Sequence, residues 1–314
     1  MLTTIQDAGR WGYQAYGVPV SGAMDLPALR AANQLVHNPP DEAALEIHSP
    51  VILQTNTPHL IAVTGAHARL EINGRALPLW MSVFARAGAT IEIAPKRAGG
   101  WVYLAIHGGI DVPRILGSRS TFLRGKFGGL EGRALAIGDQ ISVGAPTIGD
   151  LVAAAGHGVE RHVQPQSEIR IVLGPHDDWF TPEAITALTQ AEFILAETAD
   201  RMGYRLRGTG LMRSRTQELL SCGVPLGAIQ VPPDGQPIIL MAYHQTTGGY
   251  PIIAKVIAED MASVAETAPG DRFKFRVATA TEQSISRLRN RQSAHKRPQC
   301  DLTIPCSNGN ISPL

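Results

Sequence analysis

The chain has 314 residues, 44% of them apolar and 18% charged, with a formal net charge of +1. That length buries one large core or two domains, and the near-neutral balance excludes the basic footprint expected of a nucleic-acid or anionic-membrane binder. No apolar run reaches the roughly 18 residues of a membrane span, and the MLTTIQDAGR start lacks the basic-then-apolar pattern of a secretion signal.

Low aromatic content with 32 Gly and 22 Pro predicts many short elements joined by tight turns, hence a mainly β protein. In chain order, Leu26, Leu29, Asn33 and Val36 fall at helical spacing, with Asp25 as cap and Pro27 in the first turn, predicting a helix over 26–37. Strand signals follow from 44 to 143. Short β-type runs occupy 60–64 and 67–72, and Asn73-Gly74 is a two-residue hairpin turn. The apolar run 101–106 closes on Gly108-Gly109, and the polar, glycine-rich stretch 108–133, carrying Arg114, Arg119, Arg124 and Lys126, reads as a long loop. Residues 144–165 read as a linker with little to pack.

A strand restarts at 169–173, and Thr181 caps a short helix that has Pro182 at its first position. Two β runs, 227–231 and 237–242, flank a turn made by Pro232, Pro233, Asp234 and Gly235. The polar loop 245–251 (QTTGGYP) follows. Asp260 is placed to cap a helix reaching about Thr267, and Pro269-Gly270-Asp271 turns into a strand over 272–277. Beyond Arg291 the tail is polar and unpatterned, predicting poor order over 291–314. An echo joins the halves: Arg10-Trp11-Gly12-Tyr13 before Gly17-Val18-Pro19, and Arg201-Met202-Gly203-Tyr204 before Gly223-Val224-Pro225. It favours duplicated β domains over 1–150 and 151–290.

The sequence has no P-loop, no GxSxG elbow, no HExxH helix and no biotin-attachment lysine. Cys222, Cys300 and Cys306 match no zinc spacing and suit reduced thiols in a cytoplasm. Three polar clusters remain. The first is Gln6-Asp7, Gly9-Arg10 and residues 21–25, and the second is Arg114 with residues 117–121. There Arg119 either presents its fork of donors to an anion or pins the loop by an ion pair. The third cluster is Arg201, Tyr204 and Arg205 with the 245–251 loop, which reads equally as a tight turn or as a ligand loop of hydroxyls and backbone N–H groups. His107 reads as a satisfied core or rim residue and His176 as part of a surface turn. His244, beside the loop, is the better acid–base candidate.

The ordered segments TTIQDAGRWGYQAYGVPVSGAMD (3–25), GGIDVPRILGSRST (108–121), GGLEGR (128–133), DRMGYRL (200–206), GVPLGAIQVPPDGQPIILM (223–241) and QTTGGYP (245–251) resemble the carboxyltransferase subdomain A/B family. That family includes allophanate hydrolase subunit 2, the KipA proteins and the 5-oxoprolinase C component. The resemblance implies two tandem cyclophilin-like β-barrel subdomains with a few short helices. It also implies a cytoplasmic complex with a KipI-like protein and a LamB/YcsF-like protein. On the resemblance, this complex is expected to be an ATP-dependent 5-oxoprolinase that opens 5-oxo-L-proline to L-glutamate, with the chain inactive alone and ATP held by the complex.

On that resemblance, Thr246 and Thr247 carry catalytic roles, joined by His244 as the acid–base candidate read from its place beside the loop. Arg119, Ser120, Arg201, Tyr204, Arg205, Gln245, Gly248, Gly249 and Tyr250 bind substrate, and no metal is expected. Two alternatives accompany it. One is the carboxyltransferase component of a urea carboxylase/allophanate hydrolase-like system, with biotin on another chain. The other is a KipA-like, non-enzymatic antagonist of a KipI-like sensor-kinase inhibitor. The sequence departs from the family pattern at Tyr243, where relatives often carry an acid, at the following His244, and at His37. Thr3 also follows almost directly on Met1, so the first barrel is expected to lack an edge strand.

Overall fold

A computed structural model describes residues 2–97, 99–161 and 168–284. The anticipated 291–314 tail, Cys300 and Cys306 lie outside the described residues. The architecture is mainly β with short helices, as the composition implies. Besides α1 (Leu26–Leu35), the first half forms β1 (Thr3–Gln6), β2 (Ala44–Ile47), β3 (Val51–Gln54), β4 (His59–Gly65), β5 (Ala68–Ile72), β6 (Arg75–Leu77), β7 (Ser82–Ala85), β8 (Thr90–Pro95) and β9 (Val102–Ile106).

These strands make two antiparallel sheets, ordered β1-β2-β9-β4-β7 and β3-β8-β5-β6. The five-stranded sheet is a middle layer, so its side chains alternate between two cores. Ile61 and Val63 of β4, with Val102 and Leu104 of β9, join Ile91 and Ile93 of the four-stranded sheet in one core. Leu60, Ala62, Tyr103 and Ala105 point the other way, into a core with Ala28, Leu29 and Ala32 of α1. Helix α1 forms because Asp25 accepts the Ala28 N–H at 3.0 Å, Pro27 presets the first turn, and its apolar residues share one face. It stops as His37 adopts φ 57°. Asn73 (φ 50°) and Gly74 (φ 76°) make the left-handed turn that pairs β5 with β6.

The second half supplies β10 (Glu168–Leu173), α2 (Pro182–Gln190), β11 (Phe193–Leu195), β12 (Gly203–Arg207), β13 (Cys222–Gly223), β14 (Ala228–Gln230), β15 (Ile238–Leu240), β16 (Thr247–Gly248), β17 (Ile252–Val256), α3 (Met261–Ala265) and β18 (Arg272–Val277). Seven of these close a barrel in the order β10-β17-β14-β15-β12-β11-β18, sealed by parallel pairing of β18 with β10. Ile171, Ile229, Ile239, Phe193, Phe273 and Phe275 pack in a core continuous with the α1 layer. Closure leaves this sheet without an open edge.

Two expectations are corrected. The 144–161 segment is not an unpacked linker: Ile148, Leu151, Ala154 and Val159 pack against the shared core, and Gly158 bridges Met81. His107 also ties this segment down, its Nδ1–H donating to Val36 O (2.6 Å) and its Nε2 accepting from Thr147 N (2.9 Å). Nor does Asp260 cap α3. Its carboxylate is taken by the Arg170 backbone N–H and guanidinium, a charge-assisted pair that outcompetes a cap on so short a helix.

The 108–133 stretch is irregular yet tightly held. Asp7 accepts from Gly9 N, Ser118 Oγ, Arg119 N and Ser120 Oγ at 2.5–2.8 Å. The fully buried Arg10 donates to Ile115 O and Ser120 O and stacks on Phe127. Gly128, at φ +73°, leaves the room: a Cβ there would lie 2.1 Å from Ser120 O and 2.9 Å from the Arg10 guanidinium. Gly128→Ala is therefore expected to destabilise the protein by about 1–3 kcal/mol, read as a lower urea midpoint with unchanged slope. An unchanged midpoint would show that the loop gives way.

Candidate functional site at the junction of the two halves

The site begins with a charge that the second half buries inside the first. Arg201, in the turn before β12, is 4% exposed and pairs with Glu46 of β2, itself 1% exposed; a second terminal nitrogen donates to Gly22 O. Glu46 is held by Met24 N (2.9 Å) and the Tyr103 hydroxyl (2.8 Å), and Tyr103 in turn accepts from Asp25 N (2.8 Å). The Arg201 guanidinium lies 4.0 Å over the Tyr243 ring and 5.4 Å from that of Trp101. The Tyr243 hydroxyl donates to Thr121 O (2.6 Å) and accepts from Gln6 Nε2 (3.0 Å), and Trp101 Nε1–H donates to Tyr204 (2.9 Å).

Burial governs the titrations here. It pushes Tyr204 up to about 12, drives Tyr103 well above its usual value, lowers Arg201 and raises Asp25 to about 7.

From Tyr243 the chain passes directly onto the outer face of the barrel. His244 is buried, which lowers its pKa, and its Nδ1–H donates to Gln245 O at 2.6 Å, leaving Nε2 as the acceptor. Cross-strand register places Arg205, Ile238 and Gln230 in one row on the outside of the barrel. Gln230 is buried, accepting from Gln245 Nε2 (3.1 Å) and donating to Tyr250 O (3.1 Å). Strands β13 and β16 pair above it, with Val224 covering Ala228, Leu240 and Ile252. The result is a small flap pinned by one glutamine. At its tip Thr247, Gly249 and Tyr250 are exposed, and the Gly249 and Tyr250 N–H groups have no acceptor among the described residues.

The anticipated site residues thus fall into separate groups. Thr246, Thr247, Gln245, Gly248, Gly249 and Tyr250 form the flap, with His244 at its root. Arg201 and Tyr204 lie in the junction. Ser120 belongs to the Asp7 cluster, and Arg119 is pinned by Glu42 (2.6 Å), Asp111 (3.3 Å) and Val112 O. Of the two readings open for Arg119, this is the loop-pinning ion pair. Arg205 is exposed, beside Arg207 and Gln236 at a shallow cleft. Sequence reading missed Glu46 and Gln230. The signal was a lone polar residue inside each of the short apolar strands ALEI and AIQ.

The fold recurs in known proteins. A family model described as the carboxyltransferase domain, subdomain A and B, matches residues 16–277, and the chain belongs to that family. The 5-oxoprolinase C component of Escherichia coli (strain K12) is 38% identical over 93% of this chain and 93% of its own. The urea amidolyase of Saccharomyces cerevisiae is 32% identical over 87% of this chain, which spans 16% of that protein. The crystal structure of the K. lactis urea amidolyase superposes with a TM-score of 0.83 at 29% identity, covering 93% of this chain and 19% of that one.

Two outcomes follow from the junction. Glu46→Ala strands the Arg201 charge in the interior, and a loss of about 3–5 kcal/mol in urea unfolding is expected; a loss within error would mean that Arg201 finds water. Asp25 is protonated more tightly in the folded state, at about 7, than in the unfolded chain, at about 4. Its contribution is therefore fully present below pH about 4 and lost as pH rises through about 7. Asp25→Asn, which preserves a capping side chain, is expected to flatten the stability decline over that window. Parallel midpoint-versus-pH curves for the two proteins would contradict this.

Proposed function

We propose that this chain is the C component of an ATP-dependent 5-oxoprolinase, acting with a KipI-like protein and a LamB/YcsF-like protein to convert 5-oxo-L-proline to L-glutamate. The observation that carries the reading is end-to-end similarity: 93% of this chain matches 93% of a protein bearing that name. In the reaction, the γ-phosphoryl of ATP passes to the lactam oxygen and ADP leaves. Water adds to the activated ring carbon, and the C–N bond breaks as the nitrogen takes a proton. A second water then cleaves the γ-glutamyl phosphate to glutamate and phosphate.

The flap supplies what this chemistry demands. Thr247 and the Gly249 and Tyr250 amides, exposed and unpaired, hold negative charge developing on the lactam oxygen. Thr246 O, by accepting from Val224 N, and Gln245, by binding Gln230, keep those donors fixed. His244 offers Nε2 as acceptor for the proton of the attacking water. Arg205, exposed and outside any ion pair among the described residues, is the cation available to the nucleotide phosphates. Arg119 and Arg201, each bound to a carboxylate, shape the site instead.

Similarity to the K. lactis urea amidolyase favours a second reading, in which the same donors steady a carboxyl group delivered by biotin on another chain.

The test combines this protein with its KipI-like and LamB/YcsF-like partners and follows 5-oxoproline-dependent ATP hydrolysis and glutamate release. Turnover without a biotin carrier supports the first reading; activity only with carboxybiotin and urea supports the second. Gly249→Pro removes one N–H where a Cβ meets nothing nearer than 3.4 Å. It is expected to lower kcat about 100-fold or more with little change in unfolding midpoint. Undiminished turnover in this variant would remove the flap from the chemistry.

A further inference from the structure

Arg10 ends in the interior, yet it holds together three turns that face outward. Its Nε donates to Ile115 O (2.9 Å), a terminal nitrogen donates to Ser120 O (2.9 Å), and its guanidinium lies 4.8 Å from the centre of the Phe127 ring. The Arg10 backbone N–H donates to Val20 O (2.6 Å), which closes the 10–20 loop at its base. The Ile115–Ser118 and Phe122–Phe127 bridges close the other two turns. One buried side chain thus sets the 10–20 loop, the 115–118 turn and the 122–127 turn side by side.

The outer parts of these turns are apolar and cationic. Trp11, Tyr16, Ile115 and Leu116 are 38–71% exposed, four of the thirteen large apolar side chains so exposed among the described residues. Single exposed apolar residues are ordinary, but a group of them on adjoining loops marks an interaction surface. Two tip residues are also strained: Leu116 sits at φ 51° and Lys126 at φ 53°, a region that bulky side chains disfavour. The isolated chain gains nothing from an exposed leucine held in that conformation. Arg114, Arg124 and Lys126 stand on the same turns or directly beside them, all exposed. The acids of the 108–139 stretch are already paired, Asp111 with Arg119, and Glu131 and Asp139 with Arg133; the neighbouring Glu42 is held by Arg119. The 10–20 loop contains no acid, and Arg124 and Lys126 have no ion pair among the described residues. The face therefore presents an apolar centre with an uncompensated positive rim.

We propose that this face docks a partner protein whose own surface has an apolar centre and an acidic rim. The inference rests on the reading above, in which the chain works with other proteins, and it names where one of them sits. Tyr16 and Leu116 bury against the partner's apolar centre, and Arg124 and Lys126 meet its carboxylates. The site adjoins the root of the flap: Phe122 packs edge-on against the Tyr243 ring at 5.5 Å, and Tyr243 leads directly into His244. A protein docked here lies beside the segment from which the exposed flap donors arise.

Leu116→Asp is the informative variant. Asp enters the left-handed region more readily than Leu, so the isolated chain is expected to keep or raise its melting temperature, while the new carboxylate faces the partner's acids. The experiment titrates the KipI-like and LamB/YcsF-like proteins, singly and together, into the full chain by calorimetry at low and high salt. The wild type is expected to bind, and Leu116→Asp and Tyr16→Ala each to weaken binding about ten-fold or more. Lys126→Glu should weaken it too and shrink the loss of affinity on adding salt. Ile52→Asp, at a residue 69% exposed in the four-stranded sheet, should bind as the wild type does. Equal affinity in Leu116→Asp and wild type, with turnover of the assembled complex intact, would overturn this surface and leave the 5-oxoprolinase reading standing. A wild type that binds neither protein would sink both. A wild-type dimer that Leu116→Asp dissociates would give the face to a second copy of the chain. Binding to phosphatidylserine-containing vesicles that Lys126→Glu abolishes would give it to lipid, and either result overturns the proposal.

Discussion

The burial of Arg201 against Glu46 is the constraint on which the arrangement of the two halves depends. A guanidinium carried by the second half ends in the interior of the first, where desolvation outweighs the Coulomb attraction unless every terminal nitrogen is answered. The protein answers with Glu46, Gly22 O and the Tyr243 ring, and it orients Glu46 in turn with Met24 N and Tyr103. Such a cluster is a poor source of net stability but a strict registry device. Sliding the halves by one residue would strand a buried charge, whereas sliding apolar surfaces costs far less. The motif regions 3–25, 114–121 and 200–206 meet around this point, and for that reason so many polar residues of the chain serve the interior.

Position at the flap follows from the same cluster. Tyr243 is held by Thr121 O, Gln6 and the Arg201 guanidinium, and only one residue separates it from Gln245, which locks onto Gln230. The polypeptide is therefore fixed at both ends of a short span, by the junction on one side and by the barrel face on the other. The exposed donors at Thr247, Gly249 and Tyr250 are carried on a two-residue strand pair that could not persist alone. They keep their geometry because a closed barrel and a buried glutamine lie beneath them. Preorganised donors of this kind need no reorganisation when charge appears.

How much of this was legible in the sequence varies with the range of the forces involved. Local chemistry was readable: the Asp25 and Thr181 caps, the Asn73-Gly74 turn and the strand after Gly270-Asp271 all form where their residues place them. Elements decided by distant partners were not. Asp260 reads as a cap until Arg170, ninety positions away, claims it. Residues 144–161 read as a linker because their apolar residues follow no period, although a neighbouring core covers them. Thr247–Gly248 is a strand only because Cys222–Gly223 lies opposite. The candidate site was legible as a set of polar motifs, but its division into a buried junction and an exposed flap rests on burial, which a string of letters does not carry.

That division bears on what the family relation can establish. The exposed donors are largely backbone amides, which on the proposed reading suit either a lactam or a carboxyl carrier. The likeness extends over 93% of this chain for the 5-oxoprolinase C component and 87% for urea amidolyase, so it covers the junction and the flap alike. Tyr243 stands between the two, its ring on Arg201 and its hydroxyl on Thr121 O. A change there disturbs the junction packing and the root of the flap together. The fold thus separates the buried junction from the exposed flap by one residue of chain, His244.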